Sequence, residues 1–514
     1  MGNALANALG NIQSLRYFQP ETVLTLAVLA LLVEDLVLRR SSRRAGLLAG
    51  SALLWLALTA AALANTPAAP IPLFGGLLAH DPMRVFFGWI FLAATALTVL
   101  IVPQSGQVSS ARVGEFFALL LALCLGMFLM ASAADLLMAY LSLETVSLIS
   151  YILTGFRRAD RRANEAALKY VIYGGVASGV MLYGISLLYG LFGTTRLIGD
   201  GGIGAQLTDV SSRIFMAHAF GGQPAAQLAL VVAIVFVLAG VGYKIASVPF
   251  HMWCPDVYEG APTPFTAFLS VGPKAAGFAL AIRFFFAAFE QRMPGGAFAT
   301  SGDLPWPAIV GIISAITMTL GNFTALVQTN LKRMFAYSSI AHAGYLLMGL
   351  AAASAAGVQS ILVYLAIYVV MNVGAFLVVI VVSRATGGET ISDFRGLGQR
   401  APIAALTLAI FLFSLTGIPP FAGFIGKYLL FAALLSGGGV WAVVLAVIGV
   451  LNTAVSLFYY AKVVKAMYFD EVEAQARLPV PALYNGILSG LALLVFVIGL
   501  YWSPLARWAA SAFA

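Results

Sequence analysis

Charged side chains are scarce in this sequence. Aspartate, glutamate, lysine and arginine make up 9% of its 514 residues, whereas 61% are hydrophobic; in an ordinary soluble domain roughly a quarter are charged. The hydrophobic residues come in long runs, such as Phe116–Met130, Leu228–Val241 and Val369–Val382, which are too long for β-strands. The shortage of charge excludes an ordinary soluble domain and predicts an all-α integral membrane protein.

Cysteine is also rare. The two cysteines, Cys124 and Cys254, form no disulfide framework and have no metal-ligand spacing, so we expect neither a metal site nor a redox centre built on them. The net charge of +8 raises the alternative of nucleic-acid binding. The basic residues, however, lie between the hydrophobic runs, where they orient a membrane protein. We therefore expect the lipid bilayer, and no nucleic acid, as a partner.

Windows of about 20 residues predict fourteen membrane-spanning helices. They lie near residues 22–38, 45–64, 85–103, 115–133, 135–155, 165–192, 226–252, 262–287, 306–328, 334–353, 357–383, 402–436, 440–468 and 483–505. When the loops are assigned alternately to two sides, most arginines share the side of Arg39, Arg40, Arg43 and Arg44. An excess of arginine and lysine marks the cytoplasmic side. This topology places both termini on the opposite, periplasmic side.

Two of the predicted spans contain proline, one at Pro249 and the other at Pro419 and Pro420; each also carries a lysine, Lys244 or Lys427. Proline removes a backbone donor and clashes with the preceding turn, so each span is predicted to split into two half-helices. Broken helices at matching positions of two halves indicate a transport site. The alternative is that these prolines only kink their helices.

The broken spans divide the chain into repeats. Each belongs to a block of five predicted spans, residues 115–287 and residues 306–468. Because five is odd, consecutive blocks cross the membrane in opposite orientations. Residues 1–114 then form an N-terminal three-helix extension, and residues 469–514 contain a C-terminal helix. The sequence thus predicts two inverted five-helix repeats, each containing a broken helix.

Five ionisable residues lie inside predicted spans: Glu144, Lys169, Lys244, Lys274 and Lys427. A charge at the centre of a span costs about 2.5–3.5 kcal/mol, so a chain that carries five must turn them toward partners or water. A connected series of ionisable side chains can carry protons through a membrane, and we predict that these five residues do so. Lys169 lies nearer the cytoplasmic end and could instead extend its ammonium group to the membrane surface.

Two histidines are further candidate relays. His342 lies inside a span among small residues, and His251 follows the first predicted break. Histidine gains and loses a proton near neutral pH, which suits a relay. The alternative for each is a buried core histidine with satisfied hydrogen bonds.

Four segments closely resemble the signature of the subunit N family of bacterial complex I, the proton-pumping NADH:quinone oxidoreductase. They are Glu165–Tyr170, Lys244–Pro264, Lys332–Tyr345 and Gly417–Tyr428. The sister subunits L and M and the multi-subunit Na⁺/H⁺ antiporters are similar around the Lys-Pro-His region, but their following loop differs from Asp256–Gly260. The resemblance implies a bacterial inner membrane protein.

The resemblance also implies roles. Glu144 and Lys169 match the family's input pair, Lys244 its central lysine, Lys274 the connecting lysine, and Lys427 the group that faces the outlet. It implies no cofactor in this subunit: NADH, FMN, iron–sulfur clusters and quinone belong to partner subunits, and subunit M and the small membrane subunits are its neighbours. Two positions depart from the family pattern. Cys254 replaces a threonine, and Pro273 precedes Lys274, where it could kink the helix and redirect the lysine.

Three other functions remain open at this point. A component of a Na⁺/H⁺ antiporter complex is disfavoured by the loop Asp256–Gly260 and by lysine at position 427. A membrane scaffold would use the buried charges only structurally. The equivalent subunit of a ferredoxin:plastoquinone oxidoreductase is hardly excluded by the sequence. The leading interpretation is a redox-driven, proton-translocating subunit of NADH:quinone oxidoreductase without a redox centre of its own.

Overall fold

The chain folds as a bundle of long helices. A computed structural model describes residues 10–67, 70–199, 201–209, 223–292, 298–300, 304–470 and 477–513. In chain order the α-helices are α1 (Asn11–Ser14), α2 (Gln19–Val37), α3 (Arg44–Ala64), α4 (Pro82–Ser105), α5 (Val113–Ser132), α6 (Leu136–Thr154), α7 (Arg161–Phe192), α8 (Ile203–Thr208), α9 (Gln223–Ile245), α10 (Trp253–Gly260), α11 (Thr263–Ala288), α12 (Trp306–Leu326), α13 (Leu331–Ala351), α14 (Ala355–Thr386), α15 (Leu397–Arg400), α16 (Pro402–Thr416), α17 (Ala422–Ser436), α18 (Val440–Tyr468), α19 (Ala482–Leu500) and α20 (Ser503–Ala512).

Short elements connect these helices. Two antiparallel hairpins pair β1 (Ile71–Leu73) with β2 (Leu78–His80) and β3 (Glu290–Arg292) with β4 (Phe298–Thr300). Single 3₁₀ turns cover Leu38–Arg40, Phe74–Gly76, Ser110–Arg112 and Ile391–Phe394. The sequence had not indicated the hairpins, because three-residue strands between long apolar runs leave no periodic pattern.

Each of the fourteen predicted spans coincides with a helix or a pair of helices in the described part of the chain. Eleven helices are long and apolar enough to cross a membrane, and the shorter apolar helices α16 and α17 together form one further span. The remaining two spans are α2 and α13, of 19 and 21 residues, which carry charged residues near their ends. The protein is therefore an all-α integral membrane protein, apart from the two small hairpins.

Two blocks of helices share one order of elements. The first block consists of α5, α6, α7, α9 with α10, and α11; the second consists of α12, α13, α14, α16 with α17, and α18. In both blocks the third helix has 32 residues and the fourth span is broken. With five spans each, the two blocks cross the membrane in opposite directions.

Both predicted breaks are present. Helix α9 ends at Ile245, Ala246 has a φ of 60°, and turns containing Pro249 lead to α10. Helix α16 ends at Thr416, Gly417 has a φ of 90°, and Pro419 and Pro420 precede α17. At the first break the backbone N–H of Val248 donates to Oγ1 of Thr317 on α12, and at the second the carbonyl oxygen of Thr416 accepts from Lys427 on α17. Such partners within the protein are what non-helical backbone at membrane depth requires.

Helices α11 and α14 form the centre of the bundle. They pack against each other, and both are buried along almost their whole length. Helix α11 remains continuous through Pro273, so this proline does not interrupt the helix that carries Lys274. Any polar side chain on these two helices must find its partners within the protein, since lipid does not reach it.

Candidate functional site

Lys244 lies in the last turn of α9, directly before the first break, and is 1% exposed. Its Nζ donates to Oγ of Ser147 on α6 at 3.0 Å. Glu144 precedes Ser147 by three residues and therefore lies on the same face of α6. Its buried Oε1 has no hydrogen-bond partner among the described residues. The lysine and the glutamate thus occupy one polar region between α6 and α9.

The stem of Lys244 approaches α11 at a glycine. A Cβ atom placed on Gly277 would lie 3.4 Å from Cγ of Lys244 and 2.7 Å from Cγ2 of Ile245. Gly277 follows Lys274 by three residues, one turn along the same helix face. The absence of a side chain at position 277 therefore lets the end of α9 pack beside the turn that carries Lys274.

Lys274 is buried in the centre of the bundle and contacts α13. Its Nζ donates to the carbonyl oxygen of Ser339 at 3.0 Å and to Oγ of Ser339 at 2.5 Å. The Ser339 hydroxyl also lies 3.2 Å from the hydroxyl of Tyr258 on α10. Lys274 therefore joins the first block to the second block through Ser339.

His342 lies next along α13 and is surrounded by hydroxyl groups. Its Nδ1 is 2.5 Å from the hydroxyl of Tyr364 on α14, and its Nε2 is 3.3 Å from the hydroxyl of Tyr460 on α18. The Tyr460 hydroxyl is in turn 2.5 Å from Oγ of Ser338. The imidazole thus has a hydrogen-bond partner at each ring nitrogen, which suits a proton relay as well as a satisfied core residue.

Lys427 lies on α17, five residues after its start, and is buried. Its Nζ donates to the carbonyl oxygen of Thr416 at 2.9 Å, at the end of α16, and to Oγ1 of Thr453 at 3.4 Å. The ring of Tyr345 on α13 contacts the same ammonium group. The Tyr345 hydroxyl lies 3.0 Å from Oγ1 of Thr453. The carbonyl that the second break releases is therefore used to bind a lysine.

Helix α13 connects these contacts. Ser339, His342 and Tyr345 follow one another at intervals of three residues, so they form one stripe on the helix. The first contacts Lys274 and the last contacts Lys427. At about 1.5 Å per residue the stripe covers roughly 9 Å. Polar groups thus follow one another from Lys274 along α13 to Lys427, and Lys244 lies beside the turn of α11 that carries Lys274; together these groups are called the polar line.

Comparison with known proteins agrees with this geometry. The model of the family described as NADH:quinone oxidoreductase/Mrp antiporter, TM matches residues 133–453. NADH-quinone oxidoreductase subunit N of Anaeromyxobacter sp. (strain Fw109-5) is 56% identical over 506 residues, covering 97% of this chain and 96% of the relative.

The chain belongs to the subunit N family.

Solved structures share the fold. A chain of respiratory complex I from Thermus thermophilus has a TM-score of 0.76 and 31% identity, with 95% of this subunit N family member and 98% of that chain covered. A chain of the Mrp complex from Dietzia sp. DQ12-45-1b has a TM-score of 0.76 at 20% identity, covering 96% and 97%. The second likeness shows only that the fold is shared.

In this subunit N family member Lys169 is not bonded to Glu144, the residue that the family resemblance pairs it with. It is 39% exposed, and its Nζ lies 2.7 Å from Asp256 and 2.8 Å from Glu165. Asp256 on α10 also accepts from Arg333 of α13 at 2.6 Å. Burial raises the pKa of the Asp256 carboxyl, but the bonds from Lys169 and Arg333 outweigh it and hold the pKa below its usual value.

His251 lies apart from the polar line. It is mostly buried, its Nδ1 has no hydrogen-bond partner within the described residues, and no hydrogen bond joins it there to the five ionisable residues. Among the described residues of this subunit N family member, His, Cys, Asp and Glu form no group of three suited to a metal ion.

Lys332, in the first turn of α13, is buried. Its Nζ donates to the carbonyl oxygens of Glu259 and Ala261 at 2.8 and 2.9 Å, so it holds the end of α10. Sequence reasoning did not single out the contacts Ser339 and Tyr345 on the line, or Asp256 beside Lys169. The one indication for these three residues was that they lie within the family segments. That position does not show which lysine each of them contacts.

Proposed function

We propose that this chain is the proton-translocating, antiporter-like membrane subunit of an NADH:quinone oxidoreductase. The observation that carries the proposal is that Lys244, Lys274 and Lys427 are all buried and hydrogen-bonded within the bundle, and that α13 joins the contacts of the last two. The relative named NADH-quinone oxidoreductase subunit N covers almost the whole chain and supports the choice of complex.

Each residue has a role in this proposal. Glu144 and Lys169 form the input, Lys244 is the central lysine, Lys274 connects the two repeats, and Lys427 faces the outlet. His342 relays between the last two lysines through its hydroxyl neighbours. His251, without a contact to the line, has no assigned step.

Proton movement through this line needs only changes in pairing. Among the described residues, Lys244, Lys274 and Lys427 hydrogen-bond to serine, threonine and carbonyl oxygens and to no carboxylate. Each lysine has one hydroxyl partner, Ser147, Ser339 or Thr453, and a hydroxyl group can both accept and donate a proton without the breaking of an ion pair. An acidic group that approaches an amine favours its protonated form, and withdrawal of that group favours release. Glu144 is placed to act in this way on Lys244.

The energy required is within reach of such changes. Moving one charge through about 150 mV takes about 3.5 kcal/mol, which corresponds to a change of about 2.5 in pKa. Redox chemistry in partner subunits, which hold the NADH, FMN, iron–sulfur and quinone sites, supplies this energy. Subunit M and the small membrane subunits are the neighbours in the membrane arm.

The proposal includes placement in the membrane. The protein lies in the bacterial inner membrane with the arginine-rich loops on the cytoplasmic side and both termini on the periplasmic side; residues 1–9 and 514 lie outside the described residues. Residues 115–287 and 306–468 act as the two repeats. Residues 1–114 flank them as the N-terminal three-helix extension, and residues 469–514 as the C-terminal segment, in which the short helix α20 follows the C-terminal span α19.

The test uses the intact complex in sealed vesicles. Lys244→Ala and Glu144→Gln should leave assembly unchanged and strongly reduce NADH-driven proton uptake, whereas Arg39→Ala, which removes an exposed charge, should leave both unchanged. Normal pumping in both site variants would show that the charges only support a scaffold. Pumping that requires Na⁺, in a complex that does not oxidise NADH, would favour the antiporter alternative, and reduced ferredoxin as the required donor would favour the ferredoxin:plastoquinone complex.

A further inference from the structure

A basic pocket lies at the end of α18, outside the polar line. The pocket is a cavity of about 280 Å³ between the last turns of α18, the 3₁₀ turn Ile391–Phe394 and the connection between α12 and α13. Arg395, Lys462 and Lys465 line it, together with the hydroxyl-bearing Thr329 and Ser392. Backbone bonds from Ile391 to Thr329 and from Gly396 to Ala466 fix the surrounding segments.

The pocket keeps an excess of positive charge. Asp470 is the one acidic residue among its lining residues, and it lies 2.6 Å from Lys465 and 3.5 Å from Arg395. Lys462 has no ion pair or hydrogen bond within the part of the chain that the structure describes. The lining thus carries three cations and one carboxylate; Glu471 and Glu473 lie outside the described residues. Such a site suits an anionic group with several acceptor oxygens.

An apolar stripe leads from this pocket along the outside of α18. Leu451 and Phe458 are both strongly exposed, and they precede Lys462 by eleven and four residues. These spacings place the two apolar residues and Lys462 on one helix face, with Lys465 one turn further on. On neighbouring α12, Phe323 is also exposed. The stripe lies on an apolar helix that is long enough to span a membrane, and its residues are exposed on the surface of this chain.

We propose that this pocket binds the phosphate group of an anionic phospholipid, whose acyl chains lie along α18. The pocket supplies the cations and hydroxyl groups for the phosphate at the level where a span ends. The stripe supplies an apolar surface for the chains directly beside it. Basic pockets between transmembrane helices are known to bind anionic headgroups in this way. A free phosphate ion would use the pocket and gain nothing from the stripe.

The test uses the whole complex, reconstituted in vesicles that contain equal amounts of phosphatidylglycerol and phosphatidylethanolamine. Phe458 is replaced by photoreactive p-benzoylphenylalanine, and the lipid that it captures is identified by mass spectrometry. Phosphatidylglycerol should be captured in clear excess. Adding Lys462→Ala and Arg395→Ala should weaken its binding about 30-fold, given the attraction that each cation contributes. The charge-matched control Arg39→Ala with Arg40→Ala should not change capture.

A pair of charge-preserving substitutions distinguishes loss of lipid binding from loss of folding. Lys462→Arg with Arg395→Lys keeps both charges and should restore capture. Equal capture of the two lipids, or capture that is unchanged by Lys462→Ala with Arg395→Ala, would overturn the proposal. Displacement of phosphatidylglycerol by millimolar inorganic phosphate would also overturn it, because the site would then be one for the free ion.

Discussion

The ammonium group of Lys427 lies over the ring of Tyr345, with Nζ 4.3 Å from the ring centre. The ring belongs to α13, and the lysine belongs to the second half of the broken span. This contact is where the polar stripe of α13 meets the proposed outlet. The face of an aromatic ring attracts a cation, so Tyr345 favours the protonated form of Lys427 without contributing a carboxylate.

Replacing this ring should impair pumping. A desolvated cation–π contact is worth about 2 kcal/mol, so Tyr345→Leu should reduce NADH-driven proton uptake by about tenfold or more. Tyr345→Phe keeps the ring and should retain most of the uptake. Tyr428→Leu removes an exposed tyrosine next to Lys427 and serves as the control. If Tyr345→Leu pumped as well as Tyr428→Leu, the ring would have no part in transfer.

Ser339 should be important as the partner of Lys274. Ser339→Ala leaves the carbonyl bond but removes the hydroxyl, and a hydrogen bond to a charged group is worth about 1.5–3 kcal/mol. Uptake of protons per NADH oxidised should fall, and Ser339→Thr, which restores a hydroxyl, should recover it. Ser360→Ala provides the control, since this buried serine bonds only within its own helix. Equal coupling in the two alanine variants would rule out a relay through Ser339.

Gly277 should tolerate no side chain. Gly277→Ala places a methyl group 2.7 Å from Cγ2 of Ile245, and such overpacking costs about 1–3 kcal/mol. We expect a lower melting temperature of the purified complex and reduced pumping, because the end of α9 must shift beside Lys244. Gly175→Ala on α7 meets nothing within 4 Å and should be neutral or slightly stabilising. A melting temperature unaffected by Gly277→Ala would contradict the close approach.

Asp256 should make stability depend on pH in acid. Because its folded-state pKa lies below the ordinary value, its ion pairs stabilise the fold above that ordinary value, and this contribution is lost as the pH falls through the folded-state pKa. Asp256→Asn should lower the melting temperature at neutral pH by a modest amount, since the group is partly exposed. The difference from the unmodified protein should shrink on acidification below about pH 4. If the difference in melting temperature grew on acidification instead, the pH dependence of stability would have to come from another group.

The fold was largely predictable from sequence. Span length and apolar content are read directly from one chain, and proline inside an apolar run has few consequences other than a kink or a break. The breaks at Pro249 and Pro419 therefore lie where expected. Likewise, the cost of burying Lys244, Lys274 and Lys427 in lipid already required that they face inward, which the structure confirms.

The partners of these residues were not predictable in the same way. Which side chains meet across two helices depends on the rotation and the axial shift of each helix, and a single sequence does not contain either. Lys169 illustrates this: its ammonium group reaches Asp256, a residue 87 positions away, although Glu144 was the expected partner. The absence of a hydrogen bond between His251 and the described residues of the line has the same cause, because the turn after the first break determines where the His251 side chain points.

Helix α13 has a mechanical consequence beyond its contacts. Its first turn is fastened to α10 through Lys332 and Arg333, and its middle carries the partners of two lysines. The helix has no break between these contacts, so a movement at its first turn can reach its middle. A tilt of α10 at one surface would therefore act on the surroundings of both Lys274 and Lys427, because the partners of both lysines lie on this one helix.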